Sequence, residues 1–584
     1  MNESETPPPR RKHSDERGFA LIVTVLAAAI VASLIAAASL LGTNHLLINN
    51  YYDRQSELAG VANAGLDFAR ATLNGIDTIY PDLGYVTLEN GVTVTDAAGT
   101  TIPGVRRWLY AGPSGVTSGQ YGIFGSIVAV VEDDGGARVI RRSQVYQESF
   151  SKYAYFTDVE PYNIWFGGGD QIFGPVHSNS TLKIHSTGAT FNSSVRTAST
   201  IQYPDNGTFY QGYTESVAAI PMPATAELSK LQDQAAEGST AFVGNSNGSS
   251  GEATTRIEFI AVDLNNDGDR NDDNEGFIRV YQSSNSEWVT ATGNEEASDQ
   301  CGDYHSGVFV STNDHPGSTG HDKQQALKTS SARCYLGGDD ALDPGGFRAT
   351  TDGYGSWIQY PGTTSPLVLA TGRPDSTYLF PISRGLNPNF KGVIHVTGNV
   401  VLSGQIRGRV TVAATDDIIF GDDLTYVTDP GAATCVDMAG YFAGDDVIVA
   451  DNDLNAPAWV AGTGPDDYFT LDDTSDEFFH GTVLALSNFT VQGYNSGSTN
   501  AEACESTAWG RGCLYLTGGI IQNTRGAVGT STGTGYVKRY SYDQCGATFP
   551  PPYFPTTGVF ARGQYYQVDP AGFSISNYFD LITP

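Results

Sequence analysis

Gly392-Val-Ile-His-Val-Thr-Gly398, Asn399-Val-Val-Leu-Ser-Gly404, Gln405-Ile-Arg-Gly408, Arg409-Val-Thr-Val-Ala413 and Asp417-Ile-Ile-Phe420 follow one another along the chain. Each run is short, apolar and rich in β-branched residues, and Gly, Asn or Asp separates it from the next at nearly regular intervals. A strand this short cannot bury itself, so stacking on its neighbours is the natural solution, and a chain written this way reads as a parallel β-helix. An antiparallel sandwich or meander is the alternative. Outward from this stretch the signal continues: 68 glycines, only 3 methionines and many short Val/Ile/Thr runs favour strands broken by turns. Ile127-Val-Ala-Val-Val131 and Arg138-Val-Ile-Arg-Arg142 flank the turn Glu132-Asp-Asp-Gly-Gly136 and predict a hairpin.

The chain has 584 residues, enough for two or more domains with a large core. Asp and Glu number 64 against 32 Lys and Arg, a formal charge of −32. Such a surface repels nucleic acid and anionic lipid over most of its area and suits a saline medium or divalent cations.

The N-terminus is different in kind. Residues 1–18 are polar and basic and end Arg17-Gly18; Phe19-Ala-Leu-Ile-Val then opens an uncharged stretch through Leu41-Gly42. Its 24 residues suffice to span a bilayer as a helix. The bases before it predict that this end stays cytoplasmic and the body lies outside. Leu58, Val61, Ala62, Gly65, Leu66, Ala69 and Leu73 then recur at helical spacing, and Asn74-Gly75 is a stop. A secretory signal would be shorter, with an Ala-x-Ala-like site behind it; a plain anchor fits the hydropathy.

The junction Arg17-Gly18-Phe19-Ala-Leu-Ile-Val resembles the type IV prepilin cleavage site, where a dedicated peptidase cuts between Gly18 and Phe19. The apolar-then-amphipathic helix from Phe19 to about Asn74 resembles the pilin spine. Major pilins carry Glu at the fifth mature position; here that position is Val23, as in minor pilins and the tip subunit of type II secretion pseudopili. Residues 161–200, with Gly167-Gly-Gly169 and Gly174-Pro-Val-His-Ser-Asn179, and a C-terminal stretch including Leu516-Thr-Gly-Gly-Ile-Ile-Gln522 and Pro550-Pro-Pro-Tyr-Phe-Pro555, resemble large minor pilin-like proteins, among them one required for DNA uptake. The resemblance implies a mainly β protein with one long N-terminal α-helix, divided into a leader (1–18), a transmembrane and spine helix (19–75), a pilin-like β module (76–160) and a large β-solenoid-like domain (161–584). It implies a single-pass inner-membrane subunit, held by helix 19–42 with its body extracytoplasmic, and later a pilus at the cell surface. Its partners would be other pilin subunits and the inner-membrane assembly machinery, with a surface ligand or DNA beyond. The function expected is a minor, tip-located subunit of a type IV pilus serving assembly and adhesion or DNA uptake. The alternatives are a type II secretion tip pseudopilin and a membrane-anchored β-helix enzyme acting on polysaccharide.

Candidate chemical groups are few. In Asp263-Leu-Asn-Asn-Asp-Gly-Asp269, the residues Asp263, Asn265, Asp267 and Asp269 alternate around Gly268 as oxygen ligands do in calcium loops, with Glu275 further on. The flanks read as strands, so the expectation is a calcium-binding hairpin tip or a solvated acidic turn, not an EF-hand. The six cysteines, all in the second half, read as three disulfides in an exported body. Of 15 pairings, local loops Cys301–Cys334 and Cys504–Cys513 are favoured, leaving Cys435–Cys545. His305, His315 and His321 match no metal spacing, and the run Asp466, Asp467, Asp472, Asp473, Asp476 and Glu477 reads as a solvated loop. His177 is expected to hydrogen-bond within a turn. No GxSxG, HExxH, P-loop or dinucleotide fingerprint occurs, so no enzyme and no small-molecule substrate are expected. Arg407 and Arg409 beside Asp416 and Asp417 read as a solvated strand face. Arg138, Arg141 and Arg142, and Lys538 and Arg539 with Tyr536 and Tyr540, are the compact basic clusters available to a nucleic acid.

Overall fold

The computed structural model describes residues 16–582 apart from 77–78, 82–83, 115–119, 121–122, 245–252, 373–374, 433, 450–476, 496–503, 505–511, 531–532, 562 and, save for a few short strands, 284–354. The chain is mainly β, with one helix of 60 residues, α1 (Glu16–Gly75). It divides into two compact units.

The first unit takes Met1–Ser114, Gly125–Val145 and Arg562–Pro584. Strands β1 (Val86–Thr95), β2 (Thr101–Pro113), β3 (Phe124–Asp133) and β4 (Arg138–Ser149) pair in sequence order, β1 to β2 and β2 to β3 antiparallel. The hairpin expected around residues 132–136 is the β3–β4 connection. It is closed by the Asp133 and Ala137 backbones, and the Asp133 side chain accepts from the Ala137 amide at 2.8 Å. On α1, Leu58, Ala62, Leu66, Ala69 and Leu73 are buried, the stripe that the spacing predicts.

The division differs from the expected boundaries on both sides: residues 115–124 and 146–160, expected in the 76–160 module, belong to the second unit, and the last residues of the expected 161–584 domain do not. Arg562–Pro584 returns to the helix-bearing unit. Tyr565–Val568 pairs antiparallel with Ile140–Ser143 of β4, and the helix Ile575–Ile582 sets Phe579 against Val128, Val130 and Ile140. These pairings join residues more than 400 positions apart in sequence, so no local pattern announces them.

The second unit takes Gly115–Phe124 and Tyr146–Ala561. The short runs of residues 393–420 are strands that pair parallel, but not all of the expected boundaries hold: Val400–Ile406 runs through Gly404, so Gln405-Ile406 is no separate run, and the strand opening at Ile418 continues to Tyr426. Val393 faces Thr411 and Val400 faces Ile418, an equal step in both ladders. One ladder proceeds from Val393–Thr397 through Arg409–Ala414, Met438–Ala443 and Glu477–Ala485 to Cys513–Thr524. There the order breaks with sequence: Ile520 faces Tyr155, and the ladder continues parallel through Val176–Ser178 and Val195–Thr197. The sheets are mixed, since Thr255–Ala261 pairs parallel with Val400–Ile406 on one edge and antiparallel with Gly276–Ser283 on the other.

The separators between strands have their own work. The Asn399 side-chain oxygen accepts from the Asp417 amide at 2.9 Å, Asp417 from Asp446 at 3.0 Å, and Asp446 from Asn488 at 2.8 Å. Each corner residue thus satisfies a backbone N–H in the next layer, which a buried turn requires. At Gly518, paired with Gly481, a Cβ would stand 1.9 Å from the Gly481 carbonyl oxygen; only glycine allows this approach. Outside the ladder, the helix Ala226–Glu237 lays Leu228, Leu231 and Ala235 over Val393, Ala413 and Phe442, each leucine adding about 2 kcal/mol of apolar burial.

Candidate functional site

The two halves of α1 have opposite environments. From Phe19 to Ile48 the large apolar side chains stand exposed, Phe19 at 73 %, while the stripe from Leu58 to Leu73 is buried. Phe19–Gly75 is long and apolar enough to cross a membrane, by length and composition. Three hydroxyl side chains of its apolar half turn inward on the helix itself. Thr24 donates to the Ala20 carbonyl at 2.9 Å, Ser33 to Ala29 at 2.7 Å and Thr43 to Ser39 at 3.0 Å. Hydroxyls satisfied in this way ask no hydrogen bond of their surroundings, which suits lipid or other helices. Val23 stands among these exposed residues, 47 % accessible, and brings no carboxylate.

The other half is tied to the sheet. Arg54 donates to the Asp133 carboxylate at 2.9 Å, and its hydrogen bond holds that carboxyl below its usual range. A Cβ at Gly65 would stand 2.8 Å from Cδ of Arg107 and 2.9 Å from Leu109, so this glycine lets β2 close on the helix. Arg107 is in turn clamped by both oxygens of Glu89 at 2.7 and 2.9 Å.

The acidic turn is a hairpin tip, as its flanks imply: Ala261 pairs with Gly276. Asn265 donates to the carboxylates of Asp267 at 3.0 Å and Asp272 at 2.7 Å, and the other contacts of the tip run largely to its own backbone amides. Asp263 accepts from the Asn266 and Gly268 amides, Asn265 from Asp267, Asp267 from Asp269, and Asp269 from Asn271. Glu275 points into the protein instead, 1 % exposed, accepting from the Leu264 and Asp272 amides at 2.8 Å each. Among the described residues no group of three or more His, Cys, Asp or Glu is arranged to hold a metal. Calcium at this tip stays a proposal, tested by calcium uptake and by melting with and without chelator. Glu275→Ala is expected to cost about 2 kcal/mol, because two amides lose their acceptor. Glu275→Gln, which keeps one acceptor, should cost about half as much in thermal melts.

Cys435–Cys545 and Cys504–Cys513 are disulfides, with Cα separations of 5.4 and 4.6 Å. Cys301, Cys334, His315, His321, the His305 side chain and residues 466–476 lie outside the described residues. Glu477 is buried beside Tyr536, not on a solvated loop.

Two further sequence expectations are corrected. Arg407 is not on a solvated face; it is buried, donating to Asp437 at 2.6 Å and to the Asp272 carbonyl at 3.0 Å. Arg138, Arg142 and Lys538 of the basic clusters are already engaged. Arg142 lies over the Tyr566 ring at 4.9 Å and donates to the Tyr578 hydroxyl, and Arg138 pairs with Glu132 at 2.8 Å. Lys538 is paired with buried Asp170 at 3.0 Å, and desolvation lowers its pKa although Asp170 opposes this. Tyr536 and Tyr540 are core residues. His177 does bond within its turn, to Asn179 at 3.0 Å, while stacked on Phe156.

Sequence reading missed the side chains that cross between the two halves of the ladder. Glu160 and Arg525, both buried, meet at 3.2 Å, and the guanidinium lies 3.7 Å over Phe166. An isolated Glu and an isolated Arg 365 positions apart carry no signal of meeting.

No protein-family model and no curated protein sequence matches the chain. Among solved structures it is similar to the crystal structure of the competence-associated pilin ComZ from Thermus thermophilus, at 11 % identity and a TM-score of 0.24, over 88 % of this chain and 97 % of that one.

Proposed function

We propose that this chain is a non-enzymatic minor subunit of a type IV pilus-like filament, held in the inner membrane by residues 19–42 until it is extracted into the fibre. The observation that carries the reading is α1: an apolar half exposed all round, preceded by Arg17-Gly18-Phe19, and an amphipathic half buried on its own sheet. A helix of this kind has two successive partners, lipid and then neighbouring spines. Val23 in place of a carboxylate favours a position at or near the tip, where no subunit ahead supplies an amine to pair with. The parallel ladders of the second unit, which keep pace with each other from layer to layer and share corner hydrogen bonds, support a solenoid winding for the body displayed outside. Adhesion or DNA uptake is the role assigned to that body.

The test is the N-terminus of the protein in its host. Mass spectrometry should find Phe19 as the first residue of material that co-sediments with surface fibres. Gly18→Leu should leave residues 1–18 attached and abolish co-sedimentation. Material that keeps its prefix in the wild type, or never travels with fibres, would reduce the protein to a tethered β domain. A deletion strain that loses twitching or transformation supports the pilus; one that loses exported enzymes supports the secretion pseudopilus.

A further inference from the structure

The second unit carries two clefts joined by a wall of two stacked rings, Trp165 lining the first cleft and Tyr203 the second. The first, of about 690 Å³, takes Asn163, Trp165, Asp170, Thr187, Asn495 and Lys538 among its lining. The second, of about 760 Å³, takes Tyr162, Lys183 and Tyr203. Trp165 is only half-buried, and Tyr203, 54 % exposed, stacks on it with ring centres 5.7 Å apart and planes at 15°. Tyr203 reaches that position from a left-handed backbone at φ 58°, a conformation unfavourable for a bulky residue. Backbone strain at a stacked, half-exposed ring pair points to a surface kept for use. Tyr162, 86 % exposed, extends the wall under the Lys183 ammonium at 5.0 Å.

The polar groups around the wall are mostly uncharged or paired. Asn163, Thr187 and Asn495 are exposed at the rim, and Asp170 is neutralised by Lys538 on the floor. Aromatic faces beside amide and hydroxyl groups match a ligand with flat C–H faces and many hydroxyls. The first cleft has the size of a small-molecule site, and the second is a shallow, open surface that prolongs it, an arrangement that suits several linked rings. A phosphate backbone meets the field of a chain with net charge −32, whereas a neutral sugar does not.

We propose that these clefts form a binding site for a neutral oligosaccharide, stacked on Trp165 and Tyr203. The site stands independently of the filament reading, since it makes no use of α1. The test is titration of the full chain, held in a non-glycosidic detergent, with cellotriose, maltotriose, chitotriose and oligodeoxythymidine, followed by tryptophan fluorescence and saturation-transfer NMR. At least one neutral trisaccharide should bind, more tightly than its monosaccharide, and Trp165→Ala and Tyr203→Ala should each weaken it about tenfold at unchanged melting temperature. If Trp165→Ala fails to fold, the exposed Asn163→Ala and Asn495→Ala should show the loss. Absence of saturable binding by all three sugars, binding indifferent to these substitutions, or tighter binding of the oligodeoxythymidine at the same residues overturns the proposal.

Discussion

Replacing Arg525 with alanine is expected to destabilise the second unit by about 3–5 kcal/mol, the range for removing one partner of a buried ion pair. Arg525 and Glu160 have side chains 2 % and 1 % exposed. The Glu160 carboxylate also accepts from Tyr155 at 3.0 Å and Thr157 at 2.5 Å. Those hydroxyls would remain after the substitution, but the compensating charge would not. The guanidinium also donates to the Trp165 carbonyl at 3.3 Å and covers Phe166, so packing is lost together with charge. Burial works against the charge on Arg525, yet Tyr155 and Glu160 more than offset it and raise its pKa. Removing both charges should cost less than removing one. The double variant Arg525→Met with Glu160→Gln is therefore expected to recover at least half of the loss, about 2 kcal/mol, in a double-mutant cycle read by urea or thermal melts. Additive costs would mean that the pair is not coupled.

The second large effect is a loss of stability in mild acid. Burial pushes His395 and His480 down to about 4 from the ordinary 6.5, with Asp429 partly opposing this at His480. His395 is 1 % exposed and neither ring nitrogen has a hydrogen-bond partner among the described residues; His480 accepts from the Tyr426 amide at 3.0 Å. Above pH 6.5 both rings are neutral whether the chain is folded or not, and they impose no pH dependence. Between 6.5 and about 4 the unfolded chain takes up protons that the folded one refuses, so stability falls as pH falls. Each histidine should contribute about 2–3 kcal/mol of loss at the bottom of that window. His395→Leu should flatten the curve by one such step and leave the melting temperature at pH 7.5 near that of the wild type. An unchanged slope would mean that His395 is protonated in the folded state or hydrated.

Most strand starts between residues 392 and 420 were legible because they are set locally, by β-branched runs and by residues that turn, whereas Gly404 lies inside a strand where only tertiary pairing shows that no turn occurs. The buried stripe on α1 was legible for the same kind of reason, as helical spacing is a property of neighbours. Cys504–Cys513, 9 positions apart, was nearly local, and Cys435–Cys545 followed from what remained. The acidic turn shows where such reasoning stops. Alternating carboxylates predict a hairpin tip well, but which partners their oxygens take depends on side-chain choices; here most accept from the tip's own backbone amides, while Asn265 bridges Asp267 and Asp272. Lys538 and Arg539 looked like an open basic patch because sequence does not reveal Asp170 beneath the lysine.

By itself the sequence determined what period and composition can fix: a helix with an apolar and an amphipathic half, a β-rich body of short stacking strands, turns at Gly, Asn and Asp, and an acidic surface. The tertiary structure alone decided the joins. Strand Cys513–Thr524 takes Tyr155–Val159 as its next neighbour, the last strand and helix return to β4, and Glu160 meets Arg525. Local sequence encodes which surface of a strand is apolar, and many strands here are equally apolar. Only the closing of long loops, the fit of glycines such as Gly518 against a facing backbone, and the pairing of buried charges select one neighbour among them.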